Sequence, residues 1–292
     1  MTDGSTNGRR WTSAPPTVDR ETFQSELDRL RDREKAHTRE GDAIAEARRR
    51  LPMVEVDAGI ELLGPHGPLT LLDAFEGRRQ LIAYYFMWNP GRPAQEQCEG
   101  CTFYTCQVGE LSALHSRDIT YAVLCQGRNV ACGPADPRRS YEESLRYRDF
   151  MGWDMPWYSA QRSLDALLVG RETGLFHLVC YLRTGDRVFE TYWTTRRGVE
   201  AMDYSYALMD LTVYGRQEPW EDSPPGRPQQ CTNVRTDGGA PEWAPATVWP
   251  GGRPIAQWPR LAAGRSDDLG TAGEETTQGP AGRLRTAGVD NG

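Results

Sequence analysis

The sequence predicts an α/β fold, with a central mixed β-sheet flanked by helices, an N-terminal helical extension and a disordered C-terminal tail. Between residues 51 and 222, short apolar runs alternate with segments of helical periodicity. A dense charged stretch, residues 19–50, precedes this domain, and a stretch rich in proline and glycine, residues 223–292, follows it. Residues 1–18 are polar and contain proline, and we expect them to be disordered too.

The charged stretch 19–50 has the pattern of one or two amphipathic helices. Phe23, Leu27 and Leu30 recur at helical spacing, acidic and basic residues lie four positions apart, and Pro52 ends the pattern. Three roles fit such an extension: an arm that joins two copies into a homo-oligomer, a strap packed on the main domain, or a solvated helix.

The first half of the domain predicts a short strand, then a hairpin with its turn at Gly64–Pro68 and a helical turn at Leu71–Phe75. The run QLIAYYFMW, Gln80–Trp88, is almost entirely apolar, which is typical of a central strand buried on both faces. A helix is predicted from Cys101 to about His115.

The second half continues the alternation and adds an antiparallel hairpin before a closing helix. In order, we predict a strand at Ile119–Gln126, a helix at Arg138–Met151, a short strand or turn at Met155–Gln161, paired strands at Leu175–Leu182 and Arg187–Trp193, and a helix at Val199–Leu211.

Charge and hydropathy exclude several classes of protein. The net charge is −7, whereas a nucleic-acid-binding protein usually carries a basic surplus. No apolar run of about 18 residues predicts a membrane span, and the first residues lack the apolar core of a secretory signal. We therefore expect a cytoplasmic protein. Its seven cysteines would then not form a disulfide framework.

The stretch WNPGRPAQEQCEGCTFYTC contains the strongest chemical signal. Cys98 and Cys101 form a CxxC motif that follows a predicted buried strand and opens a predicted helix. Unpaired N–H groups and the helix dipole favour a thiolate at such a position. A thiolate attacks disulfides, and a second sulfur three residues later can resolve the mixed disulfide. The motif predicts Cys98 as nucleophile and Cys101 as resolving thiol, with no cofactor.

The neighbours of the motif oppose part of this prediction. Glu96 and Glu99 disfavour a nearby thiolate and would raise its pKa. The carboxylates and the dipole are each worth about 1 kcal/mol at an exposed site, so the net sign stays open. Cys106 lies about 140° around an ideal helix from Cys101, which predicts packing rather than catalysis.

Two other functions compete with thiol exchange. Cys98, Cys101, Cys106 and His115 could bind a metal, although their spacing matches no common zinc site. Alternatively, the domain is a catalytically weak binding or assembly module that uses the N-terminal helix and the tail. The aromatic residues predicted to form an apolar rim around the motif, or ordinary core, are Trp88, Tyr104 and Trp153.

Several ordered blocks resemble one bacterial family, domain of unknown function 899. The blocks are RRRLPMVEVD, LLGPHGPLTLLDAFEGRRQLIAYYFMW, CEGC, MGWDMPWYS, GDRVFETYWTTRRGVE and ALMDLTVYGRQE. The family is labelled as predicted dithiol-disulfide oxidoreductases of thioredoxin-like fold, and the resemblance spans residues 30–222. It implies that Cys98 and Cys101 are a redox pair acting on a protein or small-molecule thiol or disulfide.

The chain departs from thioredoxins at three points of this resemblance. Thioredoxins carry Trp directly before CxxC, whereas Trp88 lies ten residues before Cys98. Their central dipeptide is usually Gly-Pro, whereas here it is Glu-Gly. Their cis-proline before the penultimate strand is absent from GLFHLV, and Pro156 is the nearest proline by order. The peroxiredoxin PxxxTxxC signature is also absent, so the sequence does not predict a peroxidase.

Overall fold

The computed structural model describes residues 14–129, 133–134, 136–217, 221–227 and 260. Residues 14–18 precede the first helix without regular structure. The remainder of the predicted disordered N-terminus, and the predicted tail apart from residues 223–227 and 260, lie outside the described residues.

Eight strands form one mixed sheet, which confirms the predicted α/β class. The strands are Val54–Val56 (β1), Glu61–Gly64 (β2), Gly67–Thr70 (β3), Gln80–Phe86 (β4), Ile119–Cys125 (β5), Trp157–Ser159 (β8), His177–Thr184 (β9) and Arg187–Thr195 (β10). Their order across the sheet is β1-β10-β9-β4-β5-β8-β2-β3. The pairings of β4 with β5 and of β5 with β8 are parallel, and the other pairings in this sheet are antiparallel. A separate two-stranded ladder joins Arg128–Asn129 (β6) to Gly133–Pro134 (β7).

Six α-helices accompany the strands in the described part of the chain. They are Arg20–Arg48 (α1), Glu99–Cys106 (α2), Ser112–His115 (α3), Pro137–Met151 (α4), Leu164–Leu168 (α5) and Tyr204–Asp210 (α6). Short 3-10 turns lie at Asp73–Phe75, Ala94–Glu96 and Arg196–Met202. Gly152 ends α4 in the left-handed conformation at φ 74°, which glycine adopts without strain.

Two helices that the sequence predicts as continuous are each divided. The predicted helix Cys101–His115 is divided into α2 and α3, because the chain leaves the helix around Gly109 and the Glu110 carboxylate accepts the Ser112 N–H at 2.7 Å. The predicted helix Val199–Leu211 begins as a 3-10 turn. A new helix, α6, then starts where Asp203 accepts the Tyr206 N–H at 3.1 Å.

The sheet separates two apolar clusters, and β4 supplies both of them. Leu81, Ala83 and Tyr85 point into the cluster that contains α5, whereas Tyr84 and Phe86 point into the cluster that contains α2 and α4. All five of these side chains are fully buried. The predicted central strand is therefore covered on both faces, as its apolar run indicates.

The N-terminal extension is a single helix, α1, with no buried residue over its 29 residues. Its first turn is capped by Asp19, whose carboxylate accepts the Thr22 N–H at 2.8 Å. The C-terminal end of α1 contacts the domain, where the Arg48 guanidinium lies 5.1 Å from the centre of the Tyr192 ring. Among the helices of the described residues, none is long and apolar enough to cross a membrane.

Candidate active site

Cys98 occupies the N-cap of α2, at the end of the loop that follows the central strand β4. Its sulfur accepts the backbone N–H of Cys101 at 3.4 Å. This is the place where unpaired N–H groups concentrate partial positive charge, and such a place stabilises a thiolate. Cys98 is half-buried and Cys101 is fully buried, so Cys98 is the more accessible residue of the pair.

Cys101 lies behind Cys98 and is fully buried. Its sulfur accepts the backbone N–H of Met87, just after β4, at 3.4 Å. Burial raises the pKa of the Cys101 thiol well above its usual value, and the adjacent Cys98 sulfur raises it further. Cys101 therefore keeps its proton at neutral pH. The two cysteines are distinguished by burial: Cys98 is half-buried, whereas Cys101 is fully buried.

The loop that leads to Cys98 is held in shape by one buried side chain, Gln97. Its amide nitrogen donates to the carbonyl oxygens of Asn89 and Arg92, each at 2.9 Å, and its amide oxygen accepts the Asn89 N–H at 3.0 Å. Asn89 in turn donates from its side chain to the Glu96 carbonyl at 2.8 Å. These bonds close the loop into a ring immediately before the nucleophile.

Helix α4 anchors the same loop from the side. The buried Glu143 carboxylate accepts the Gly91 N–H at 2.7 Å and pairs with Arg139 at 3.2 Å. A buried carboxylate needs such partners, because desolvation would otherwise strongly disfavour its charge. The loop is thus fixed both to itself and to a neighbouring helix.

A second link from α4 reaches the backbone of Cys98. The Thr102 hydroxyl donates to the Cys98 carbonyl at 2.8 Å and lies 2.7 Å from the Tyr147 hydroxyl. Because the single Thr102 proton is used on the carbonyl, Tyr147 is the donor to Thr102. Both side chains are fully buried. The chain Tyr147–Thr102–Cys98 sets the position of the first turn of α2.

The three aromatic residues predicted near the motif are found in its supporting core. Trp88 is fully buried, Tyr104 is nearly so, and Trp153 is half-buried; all three belong to or pack on the cluster that contains Cys101. Trp88 lies against the Tyr147 ring, with ring centres 5.6 Å apart. Trp88 and Tyr104 thus form core beneath the sulfurs, because β4 and α2 direct them inward.

The residue directly before β9, in the segment GLFHLV, is Phe176. Its ring lies 5.8 Å from that of Tyr104 on α2, and its carbonyl accepts the Thr195 hydroxyl at 2.6 Å. Pro156 precedes β8, a different strand. An aromatic contact with the CxxC helix therefore occupies this place.

The remaining described cysteines do not join the pair. Burial raises the pKa of Cys106, although the Arg260 charge opposes this shift; burial also raises the pKa of Cys180 to about 11 and strongly raises that of Cys125. Within the described ranges, no three His, Cys, Asp or Glu side chains converge where they could hold a metal ion. The structure therefore does not assemble the four-residue metal site considered from sequence. Cys132 and Cys231 lie outside the described residues.

Three residues that support the motif, Gln97, Thr102 and Tyr147, were not singled out from sequence, and neither was Tyr84, which packs in the same cluster as Cys101. Their roles depend on contacts between segments distant in the chain, which local patterns do not encode. One signal was available: Tyr84 shares the inward alternation of β4 with Phe86 and, beyond the strand, with Trp88.

Residues 12–237 match the family model described as a bacterial protein of unknown function, DUF899. The chain belongs to this family. The match includes the whole eight-stranded sheet and the CxxC motif of this DUF899 protein, and it confirms the resemblance seen in the sequence.

Two solved structures are similar to this DUF899 protein at low identity. One, from Chlorobium tepidum, bears the name thiol:disulfide interchange protein DsbE; it shows 10% identity and a TM-score of 0.33, covering 52% of this chain and 94% of that one. The other is a thioredoxin from Wuchereria bancrofti, with 13% identity and a TM-score of 0.31, covering 51% and 90%. A search of curated proteins finds no match.

Proposed function

We propose that this DUF899 protein exchanges thiols and disulfides through Cys98 and Cys101. The observation that carries the proposal is the asymmetry of the pair: Cys98 is a half-buried residue at a helix N-cap, and Cys101, one turn behind it, is fully buried. The first has the access and the local N–H groups that a nucleophile needs. The second, Cys101, is buried and protonated, and it reacts only after a mixed disulfide has formed on Cys98.

The proposed reaction has two steps. The Cys98 thiolate attacks one sulfur of a substrate disulfide; a new S–S bond forms, and the departing substrate thiolate takes up a proton. The Cys101 sulfur then attacks Cys98, closes the Cys98–Cys101 disulfide and releases the second substrate thiol. The substrate gains two electrons and the protein dithiol loses them. A cellular thiol reductant of unspecified identity would restore the dithiol.

The test is turnover of a model disulfide, insulin, with dithiothreitol as the reductant. The natural protein should accelerate insulin reduction, and Cys98→Ser should return the rate to that of dithiothreitol alone. Cys106→Ser is the matched control, because Cys106 is also a half-buried thiol on α2, and this variant should keep the activity. Equal, negligible acceleration by the natural protein and by Cys98→Ser would defeat the proposal.

A complementary variant tests the assigned order of attack. In Cys101→Ser the first step remains but resolution is lost, so a mixed disulfide on Cys98 should accumulate and be detected by intact mass. If Cys98→Ser accumulates the adduct instead, the roles of the two cysteines are reversed.

A second candidate function, self-association, is favoured by α1. Its Phe23, Leu30 and Ile44 side chains are 47%, 47% and 43% exposed, and the helix buries none of its 29 residues against the domain. An antiparallel second copy that places Leu27 against Ile44 also brings Arg33 near Glu40 on both sides of the twofold axis. We propose a second copy of this chain as the occupant of this helix face.

A further inference from the structure

A buried tyrosine hydroxyl on the central strand β4 lies close to the sulfur of Cys101, the proposed resolving cysteine. Tyr84 points from β4 into the cluster that contains Cys101, and it lies three residues before Met87, whose N–H contacts the same sulfur. Tyr84 is fully buried, and its hydroxyl has no oxygen or nitrogen partner among the described residues. Burying a hydroxyl without a hydrogen-bond partner is energetically unfavourable, so a tyrosine at this position calls for an explanation beyond apolar packing.

The groups around the Tyr84 hydroxyl are sulfurs and one other phenol. Burial raises the pKa of Tyr84 well above its usual value, and the nearby Cys101 sulfur raises it further, with smaller contributions from Cys98 and Tyr121. The titratable groups that face it are thus two thiols from α2 and one hydroxyl from β5. Tyr84 therefore keeps its proton at neutral pH, and this proton is available for hydrogen bonding.

We propose that the Tyr84 hydroxyl donates a hydrogen bond to the Cys101 thiolate and thereby permits the resolving step in a dry core. This proposal rests on the proposed thiol exchange. A thiolate buried at Cys101 has lost its water, so a donor must replace it. The Met87 N–H supplies one such bond, and the Tyr84 O–H supplies the second.

The step balances without a further reactant. In the mixed disulfide, the Cys101 thiol loses its proton, and its sulfur attacks Cys98. The Cys98–substrate bond breaks, the Cys98–Cys101 bond forms, and the departing substrate thiolate receives one proton. Tyr84 keeps its own proton throughout, since it acts by hydrogen bonding rather than as an acid.

The test separates the two steps with 5,5′-dithiobis(2-nitrobenzoate), which releases one coloured thiolate when Cys98 attacks and a second when Cys101 resolves. Cys106, Cys132, Cys180 and Cys231 are replaced by serine in every sample, because Cys106 and Cys180 are half-buried and the four thiols would otherwise contribute signal. In Tyr84→Phe we expect an unchanged first phase and a second phase about tenfold slower at neutral pH, because a hydrogen bond to a charged group is lost. The pH profile of that phase should also move to higher pH.

Tyr85→Phe is the matched control. Tyr85 is the next residue on the same strand and is equally buried, but it faces the opposite cluster and bonds the Tyr181 hydroxyl at 2.8 Å. Its second phase should match that of the natural protein. A second phase in Tyr84→Phe that equals this control, in rate and in pH profile, would overturn the proposal.

A second variant covers the case in which Tyr84→Phe does not fold. Site-specific 3-fluorotyrosine at position 84 keeps the hydroxyl and makes it a stronger donor, so the second phase should be as fast as, or faster than, that of the natural protein. A second phase slower than that of the natural protein would overturn the proposal. Loss of the first phase in the natural protein would instead refute the thiol exchange itself, and so the two failures are distinguishable.

Discussion

Helices α1 and α2 differ in what holds them in place. Helix α1 has 29 residues, none of them buried, and is supported by its Asp19 cap and by charge pairs along its own surface. Helix α2 has eight residues, and four of them are buried against β4 and α4. Length therefore says little about how firmly a helix is positioned. Packing fixes the short helix that carries the thiols, whereas local interactions sustain the long one.

The largest expected effect comes from removing the core beneath α2. Trp88→Ala should lower the free energy of unfolding by about 3–5 kcal/mol, because it opens a cavity beside Tyr147 in a fully buried cluster. Arg39→Ala on α1, which lies outside the face proposed for self-association, is the control and should change stability by less than about 0.5 kcal/mol. Denaturant unfolding measures both values. Similar losses for the two variants would erase the contrast between the helices.

The next largest effect is a loss of stability at alkaline pH that arises from Cys101. The folded state keeps this thiol protonated because its pKa is raised, whereas the unfolded chain releases the proton near pH 8.5. Stability is thus intact below that pH and falls as pH rises, by about 2 kcal/mol at pH 10 from this group alone. Stability of the natural protein and of Cys101→Val should be compared from pH 7 to pH 10. Parallel slopes would show that Cys101 titrates normally in the fold.

The link between α4 and the first turn of α2 should have a smaller effect. Thr102→Val removes the donor to the Cys98 carbonyl and leaves the buried Tyr147 hydroxyl without its acceptor, at a cost of about 1–2 kcal/mol. Combined with Tyr147→Phe in a double-mutant cycle, the two losses should not add. Simple additivity of the two free-energy changes would mean that the residues act separately.

The smallest effect on stability is expected from deleting residues 1–48. Since α1 buries none of its residues, the melting temperature should change by less than about 2 °C. The same variant sharpens the second candidate function: if α1 joins two copies, sedimentation at matched concentrations should show a dimer for the full chain and a monomer after deletion. A monomeric full chain would rule out self-association. A large drop in melting temperature in a monomeric chain would show that α1 is packed more firmly than its exposed residues indicate.

The features of the fold that local sequence encodes were predicted well. The apolar run that forms β4, the hairpin around Pro65 and the paired strands β9 and β10 follow from periodicity and turn residues. The division of α2 from α3 was missed because it depends on a side-chain bond, from Glu110 to the Ser112 N–H, that competes with helix continuation.

The candidate site could be predicted only in part. The position of Cys98 and Cys101 followed from the motif, because a strand followed by a helix places such a pair at the helix N-terminus. Gln97 and Glu143 bond partners that lie between 4 and 52 residues away in the chain, and Tyr84 packs in the same cluster as Cys101. The alternation of β4 indicates that Tyr84 points inward, but a single sequence does not show which side chains it or the other two contact.

The closed ring that Gln97 imposes on the approach to Cys98 has a consequence for the molecules that the proposed exchange would serve. A loop fixed by these bonds does not change its conformation to fit a substrate, so the substrate has to change its own. Substrate proteins whose disulfide lies in a flexible or unfolded segment would be reduced readily, whereas those whose disulfide is held within regular secondary structure would be poor substrates.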